Sequence, residues 1–141
     1  MRSIMAEETI SKIQSQHSAL RSAYGRRRGT AIVETEQGVI VVTHSNNLFL
    51  LPGGSPNPGE LQIQAAIREL REETGLKAFD VRYLFTHMES KVFLIQAEGD
   101  PEPRNEIKKL EYYHKDSSVN VSNNTRLIIE KYWEYKLLPG L

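Results

Sequence analysis

The chain has 141 residues, with 18 lysines and arginines balanced by 18 aspartates and glutamates, and no cysteine. Zero formal charge offers no broad basic surface for nucleic acid or anionic membrane, and the lack of thiols excludes disulfides and thiolate metal centres. No apolar run is long enough to span a bilayer, and the opening MRSIMAEETI lacks the apolar stretch of a signal peptide, so a soluble cytoplasmic protein of one domain over residues 1–141 is expected.

In chain order, the first predicted element is a helix from about Ala6 to Tyr24. Its stripe is Ile10, Ile13, His17, Leu20 and Tyr24, and Gly25 ends it. It forms an N-terminal extension over residues 1–25, either packed on the domain or used as a subunit contact in a homodimer. The triple arginine Arg26, Arg27 and Arg28 follows, either as a solvated run or with Arg28 reaching a substrate phosphate. Strands are predicted at Thr30 to Glu34 and Val39 to Thr43, joined by a turn at Glu36, Gln37 and Gly38. His44 closes the second strand, where it can face a cleft. Leu48 to Leu51 reads as a short third strand ending in Pro52-Gly53-Gly54.

A helix is predicted next, with Asn57 as N-cap, Pro58 at its first position, Glu60 at its third, and Gly75 at the left-handed C-cap. Ile63, Ala66, Ile67 and Leu70 give it an apolar stripe. Glu69, Glu72 and Glu73 recur at i, i+3 and i+4, within roughly 100° of arc on one face. Like charges so placed repel, and a bound cation reverses the sign of that term. Arg68 and Glu72 are i, i+4 partners, so the arginine can orient a carboxylate. An acidic helix face is often no more than a solvated surface, but this one follows a glycine-rich loop at a fixed distance.

Downstream, Phe79 to Met88 and Lys91 to Ala97 read as strands turning at Glu89 and Ser90. A polar loop spans Gly99 to Asn105, and Ile107 to His114 reads as the final strand. A last helix runs from about Thr125 to Leu137, with Leu127, Ile128, Tyr132 and Trp133 on its apolar side. Strands, helix, strands and helix make an α+β or mixed α/β fold.

Gly54, Glu60, Arg68, Glu69, Leu70, Glu72, Glu73, Gly75 and Leu76 occupy every fixed position of the Nudix box, and the chain resembles Nudix hydrolases of the MutT-like group. That resemblance implies the Nudix fold, a mixed β-sheet sandwiched between α-helices. It also implies a magnesium- or manganese-dependent hydrolase that cleaves a nucleoside diphosphate linked to another group. Carried over by position, Glu72 and Glu73 are metal ligands, Glu69 a further ligand or general base, and the Gly53 carbonyl another ligand. Arg68 orients the glutamates, and Glu60 is mainly structural. Relatives draw one more acid from beyond the box, here Glu106 or Glu102, with Glu106 favoured.

Substrate choice falls outside the box. Phe49, Tyr83, Phe85, Tyr112, Tyr113 and His87 are available for it, though aromatics in strands mostly pack the core. The downstream proline of ADP-ribose hydrolysers is missing, as are the signatures of coenzyme A and NADH hydrolysers. Small size leans toward nucleoside triphosphates or modified nucleotides, with dinucleoside polyphosphates, ADP-ribose and nucleotide sugars as alternatives. A non-catalytic nucleotide-binding module is another class, disfavoured by the complete set of glutamates. An RNA-decapping surface at the N-terminus is a third, disfavoured by neutral charge.

Overall fold

The computed structural model describes residues 23–45 and 47–139. The predicted N-terminal helix and His17 lie outside the described residues, apart from a 3₁₀ turn at Ala23–Gly25. The elements that follow are β1 (Arg28–Ile32), β2 (Glu34–Thr35), β3 (Gly38–Thr43), β4 (Gly53–Gly54), α1 (Gln62–Thr74), β5 (Lys77–His87), β6 (Ser90–Glu98), β7 (Lys109–Tyr113) and α2 (Asn123–Lys136). They form a mixed α+β fold with two sheets.

One sheet has the order β4-β1-β6-β5 and the other β2-β3-β7. Strands β1 and β6 run parallel, with Arg28 opposite Ser90 and Ile32 opposite Leu94, while the other pairs are antiparallel. Helix α1 packs against β1, β4, β5 and β6. Ala66 and Leu70 of α1 share a core layer with Ala31, Val33, Ile40, Val42, Phe93 and Ile95. On the opposite side Ile128, Ile129 and Tyr132 of α2 share a second layer with Ile32, Val39, Val41, Phe85 and Val92. The run Val39-Ile40-Val41-Val42 is apolar throughout because its alternate side chains enter different layers.

The first predicted strand divides in two. Residues 28–32 pair with β6, whereas Glu34–Thr35 cross to the other sheet and close a hairpin on Gly38–Val39. Leu48 to Leu51 is not a strand, since only isolated bridges join Leu50 to Val42 and Phe49 to Val121. Its backbone bonds are scattered rather than laddered. Leu50 exchanges two with Val42, and Phe49 bonds Asn120 and Ser122. The Leu51 carbonyl accepts from Arg28 Nη2 at 2.7 Å, and the Leu51 amide donates to Tyr24 Oη at 3.1 Å.

The central helix starts at Gln62, four residues after the predicted Pro58. Asn57 to Glu60 instead closes a turn, with the Glu60 amide 2.9 Å from the Asn57 carbonyl, and Gly59 at φ 80° leaves the helical region. The N-cap is Leu61, whose amide donates to Gln64 Oε1 at 2.8 Å. Gly75 closes the helix in the left-handed conformation, as its position predicts. In α2, Ser122 is the N-cap, and Ile129 rather than Leu127 faces the core.

Helix α1 sits unusually close to β1. A Cβ on Gly29 would stand 1.9 Å from the Gln62 carbonyl oxygen and 2.7 Å from the Ala66 nitrogen. Both obstacles are backbone, so no rotamer change relieves the overlap. Gly29→Ala therefore destabilises the fold by about 3 kcal/mol or more, read as a lowered urea midpoint at unchanged slope.

Candidate active site

The acidic face of α1 opens on a hollow of about 330 Å³ lined by Glu69, Glu72, Glu73, His44, Glu106 and Arg104. Its four glutamates are all acids that the sequence singles out, His44 reaches them from the end of β3, and Asn105 and Ile107 complete the lining. Glu102, the other downstream candidate, does not line it and pairs instead with Arg104 at 3.0 Å.

Each glutamate has a different setting. Glu73 is 6% exposed, and its Oε1 accepts the Gly53 amide at 2.9 Å. His44 Nε2 stands 4.0 Å from the other oxygen. Burial pushes the Glu73 carboxyl up to about 8, and the charges of Glu69 and Glu72 push the same way. The Gly53 amide and Arg28 oppose the rise without cancelling it. Glu69 lies over Gly54, where a Cβ would stand 2.7 Å from its carboxyl carbon, so the box glycine is the seat for this side chain. Glu72 is exposed at the rim.

Arg68 joins these acids to the preceding loop. Its Nε and Nη2 each donate to Glu60 at 2.9 Å, and its Nη1 donates to Glu69 at 2.8 Å and Glu72 at 3.1 Å. Glu60 thus has a structural role, but through this bidentate fork rather than as the third residue of a helix. The guanidinium holds the Glu60 carboxyl below its usual range.

Arg28 points inward. Its Nε donates to Thr30 Oγ1 at 3.0 Å, its Nη2 to the Leu51 carbonyl, and its guanidinium lies 5.0 Å from the Tyr24 ring centre. It reaches the acids only through its field at Glu73. Of the aromatics, Phe49 and Phe85 are buried, Tyr113 stacks on Trp133, and exposed Tyr83 packs on Phe93; none lines the acidic hollow.

The loop after β6 contributes more than its composition suggests. The Arg104 amide donates to the Glu73 carbonyl and the Glu102 amide to the Thr74 carbonyl, both at 3.0 Å. Asn105 Nδ2 donates to the Glu72 carbonyl at 2.6 Å. With the Gly75 amide on the Arg71 carbonyl, the last carbonyls of α1 are all satisfied. The same loop delivers Arg104, Asn105 and Glu106 to the hollow. A sequence signal for it exists only in hindsight: Asn105 adopts φ 55°, a conformation asparagine tolerates better than most residues.

Among the described residues, no three acids or histidines converge into a ready-made cage. The donors are all hard oxygens on one hollow, and two of them are held by Arg68. That set fits magnesium or manganese, which bind through one or two carboxylates and complete their shell with water and phosphate oxygens.

Glu73 also makes the ion-free fold pH-sensitive. Its carboxyl rises from an ordinary 4.5 to about 8 on folding, so the folded state holds the proton more tightly. Its contribution to stability is full below 4.5 and is lost as pH rises toward 8. In chelator, Glu73→Gln should melt above the parent protein at pH 9, with the gap narrowing toward pH 4 in thermal unfolding scans.

The NUDIX domain family profile matches residues 24–129. An ADP-ribose pyrophosphatase from Methanocaldococcus jannaschii is 26% identical over 120 residues, covering 74% of this chain and 71% of its own. The structure of a nudix hydrolase family member from Chromobacterium violaceum matches with TM-score 0.75 and 39% identity, over 80% of this chain and 79% of the other. A UDP-X diphosphatase structure shares the fold with TM-score 0.65 at 21% identity, over 89% of this chain and 71% of its own. A family match over most of the chain, at the same residues that build the acidic hollow, makes this protein a member of the Nudix family, a pyrophosphohydrolase of nucleoside diphosphate derivatives.

Proposed function

We propose that this chain is a divalent-metal-dependent hydrolase of a nucleoside triphosphate or modified nucleotide. The observation that carries the reading is the buried Glu73 beside Glu69 and Glu72, with Glu106 across the same hollow. In this reading Glu72, Glu73, Glu106 and the Gly53 carbonyl hold magnesium or manganese. The bound ion supplies neutralisation of phosphate charge and a lowered pKa for water.

The protein's own groups do the rest. In this reading Glu69 takes a proton from the attacking water, a role generally worth 10²–10⁴-fold. Arg68 fixes the orientation of Glu69 and Glu72, so that water and phosphorus meet without a conformational search. His44, half-exposed at the mouth, is within reach of a substrate oxygen or of Glu73. Water adds to one phosphorus, the bridging anhydride bond breaks, and two phosphate-bearing products leave.

A second reading is ADP-ribose, favoured by the name of the Methanocaldococcus relative. Both readings use the same bond chemistry and differ in what lies beyond the second phosphate. A magnesium-dependent release assay over nucleoside triphosphates, oxidised triphosphates, dinucleoside polyphosphates, ADP-ribose and nucleotide sugars separates them. Preference for ADP-ribose over every triphosphate would replace the first reading with the second.

Glu73→Gln should lower kcat on the best substrate by about 10²-fold or more, while the variant stays folded by circular dichroism. A turnover equal to that of the parent protein would refute the assignment of Glu73.

A further inference from the structure

A second hollow, about 570 Å³, lies on the outer side of α1 and shares Glu72, Arg104 and Asn105 with the acidic one. Its remaining lining is Gln64, Ile67, Arg68 and Arg71. The two hollows are therefore contiguous across Glu72 and opposite in sign: the first carries four glutamates, and the second three arginines against one glutamate.

The three arginines differ in what they are free to do. Arg68 is spent on Glu60, Glu69, Glu72 and the Ser55 carbonyl. Arg104 lies across the C-terminus of α1, with its Cζ 2.6 Å from where a Gly75 Cβ would be, and has Glu102 as its ion-pair partner. Arg71 is exposed and, among the described residues, has no ion-pair partner. It follows Ile67 by four positions, so both face the same hollow.

We propose that Arg71 and Arg104 form a subsite for phosphates beyond the reacting diphosphate, which selects substrates with three or more phosphates. The proposal rests on the metal-site reading above, because it takes the reacting diphosphate to lie in the acidic hollow. A phosphate chain leaving that hollow past Glu72 enters the basic one. Phosphates in the first hollow are neutralised by cations held on carboxylates. Those in the second have no acid cluster to recruit a cation and meet guanidinium groups directly. ADP-ribose and nucleotide sugars present a neutral sugar at that point and gain nothing from it.

Two measurements on the full chain test this. In the first, inorganic tripolyphosphate is titrated calorimetrically in chelator, so the readout is independent of turnover. The parent protein should bind it, with affinity falling as salt rises. Arg71→Ala should weaken binding about tenfold, the scale of one charge-assisted hydrogen bond, and Arg71→Lys should retain part of it. In the second, with magnesium, the ratio of KM for a nucleoside triphosphate to KM for ADP-ribose should rise about tenfold in Arg71→Ala.

No binding of tripolyphosphate by the parent protein, equal binding by Arg71→Ala, or an unchanged KM ratio would each overturn the subsite. Failure of the parent protein to hydrolyse any nucleotide, with tripolyphosphate bound through Arg71, would instead overturn the metal-site reading. Among the described residues Arg71 makes no side-chain hydrogen bond or ion pair, so unchanged melting of its variants is expected and is the control for both measurements.

Discussion

The site depends first on a contact between two backbones. Helix α1 rests on β1 at Gly29 with no side chain between them, and the Gln62 carbonyl and Ala66 nitrogen occupy the space a Cβ would need. The position is secured by the Gln62 side chain, whose Nε2 donates to the carbonyls of Arg28 at 2.9 Å and Glu89 at 3.1 Å. Further along the helix, β4 lies against β1 and hands its Gly53 amide to Glu73. The distance from the sheet to the glutamates is thus set by main-chain atoms, which cannot relax by changing rotamer. A site that must place carboxylates to a fraction of an ångström gains from being built this way.

Tension between stability and chemistry is concentrated at Glu73. A carboxylate in so dry a place, with two more acids on the same helix face, is an arrangement a fold selected for stability alone would avoid. Compensation comes from nearby cations that do not remove the strain at Glu73 itself. Arg68 shares its single positive charge among Glu60, Glu69 and Glu72, and Arg28 acts on Glu73 through its field alone. Arg28 is tied in turn to Tyr24, whose hydroxyl is 2.7 Å from Thr125 Oγ1 on α2. The field at the site therefore depends on both helices, although only one carries the acids.

How much of this was legible in the sequence varies with the range of the interactions. The glutamate spacing, the Arg68 partnership and the Gly75 cap are local, and all three stand where the one-dimensional pattern puts them. The apolar run in β3 was legible as a strand, since burial on both faces leaves a continuous hydrophobic signal. The helix start was misread because Asn57 and Pro58 satisfy capping preferences equally well in a turn. Leu48 to Leu51 is as apolar as a strand, but its bonds go to scattered partners, the backbone of Val42, Asn120 and Ser122 and the side chains of Tyr24 and Arg28, rather than to one neighbouring strand. Arg28 read as a solvated charge or a phosphate contact because it sits in a run of three, whereas its side chain is buried on Thr30 and the Leu51 carbonyl. Gly29 carried no signal at all, since its role exists only once α1 is in place.

The loop from Glu102 to Ile107 shows why the bond chemistry and the substrate separate in such a chain. Its amides and the Asn105 side chain complete the C-terminus of α1, Ile107 is buried in the core, and Glu102 pairs with Arg104. The course of the loop is thus fixed, while Glu106 is left to line the hollow. Glu106 consequently stands on the acidic side of Glu72, while Arg104 lines both hollows. A substitution at either position alters the charge beside the glutamates without disturbing the box that holds them. The box can stay constant in spacing while its surroundings are rewritten, because the helix carbonyls ask only for donors, and backbone amides supply them whatever the side chain. The spacing of the glutamates is therefore a local pattern, whereas the charge that stands beside them is set partly by a loop that has no pattern to read.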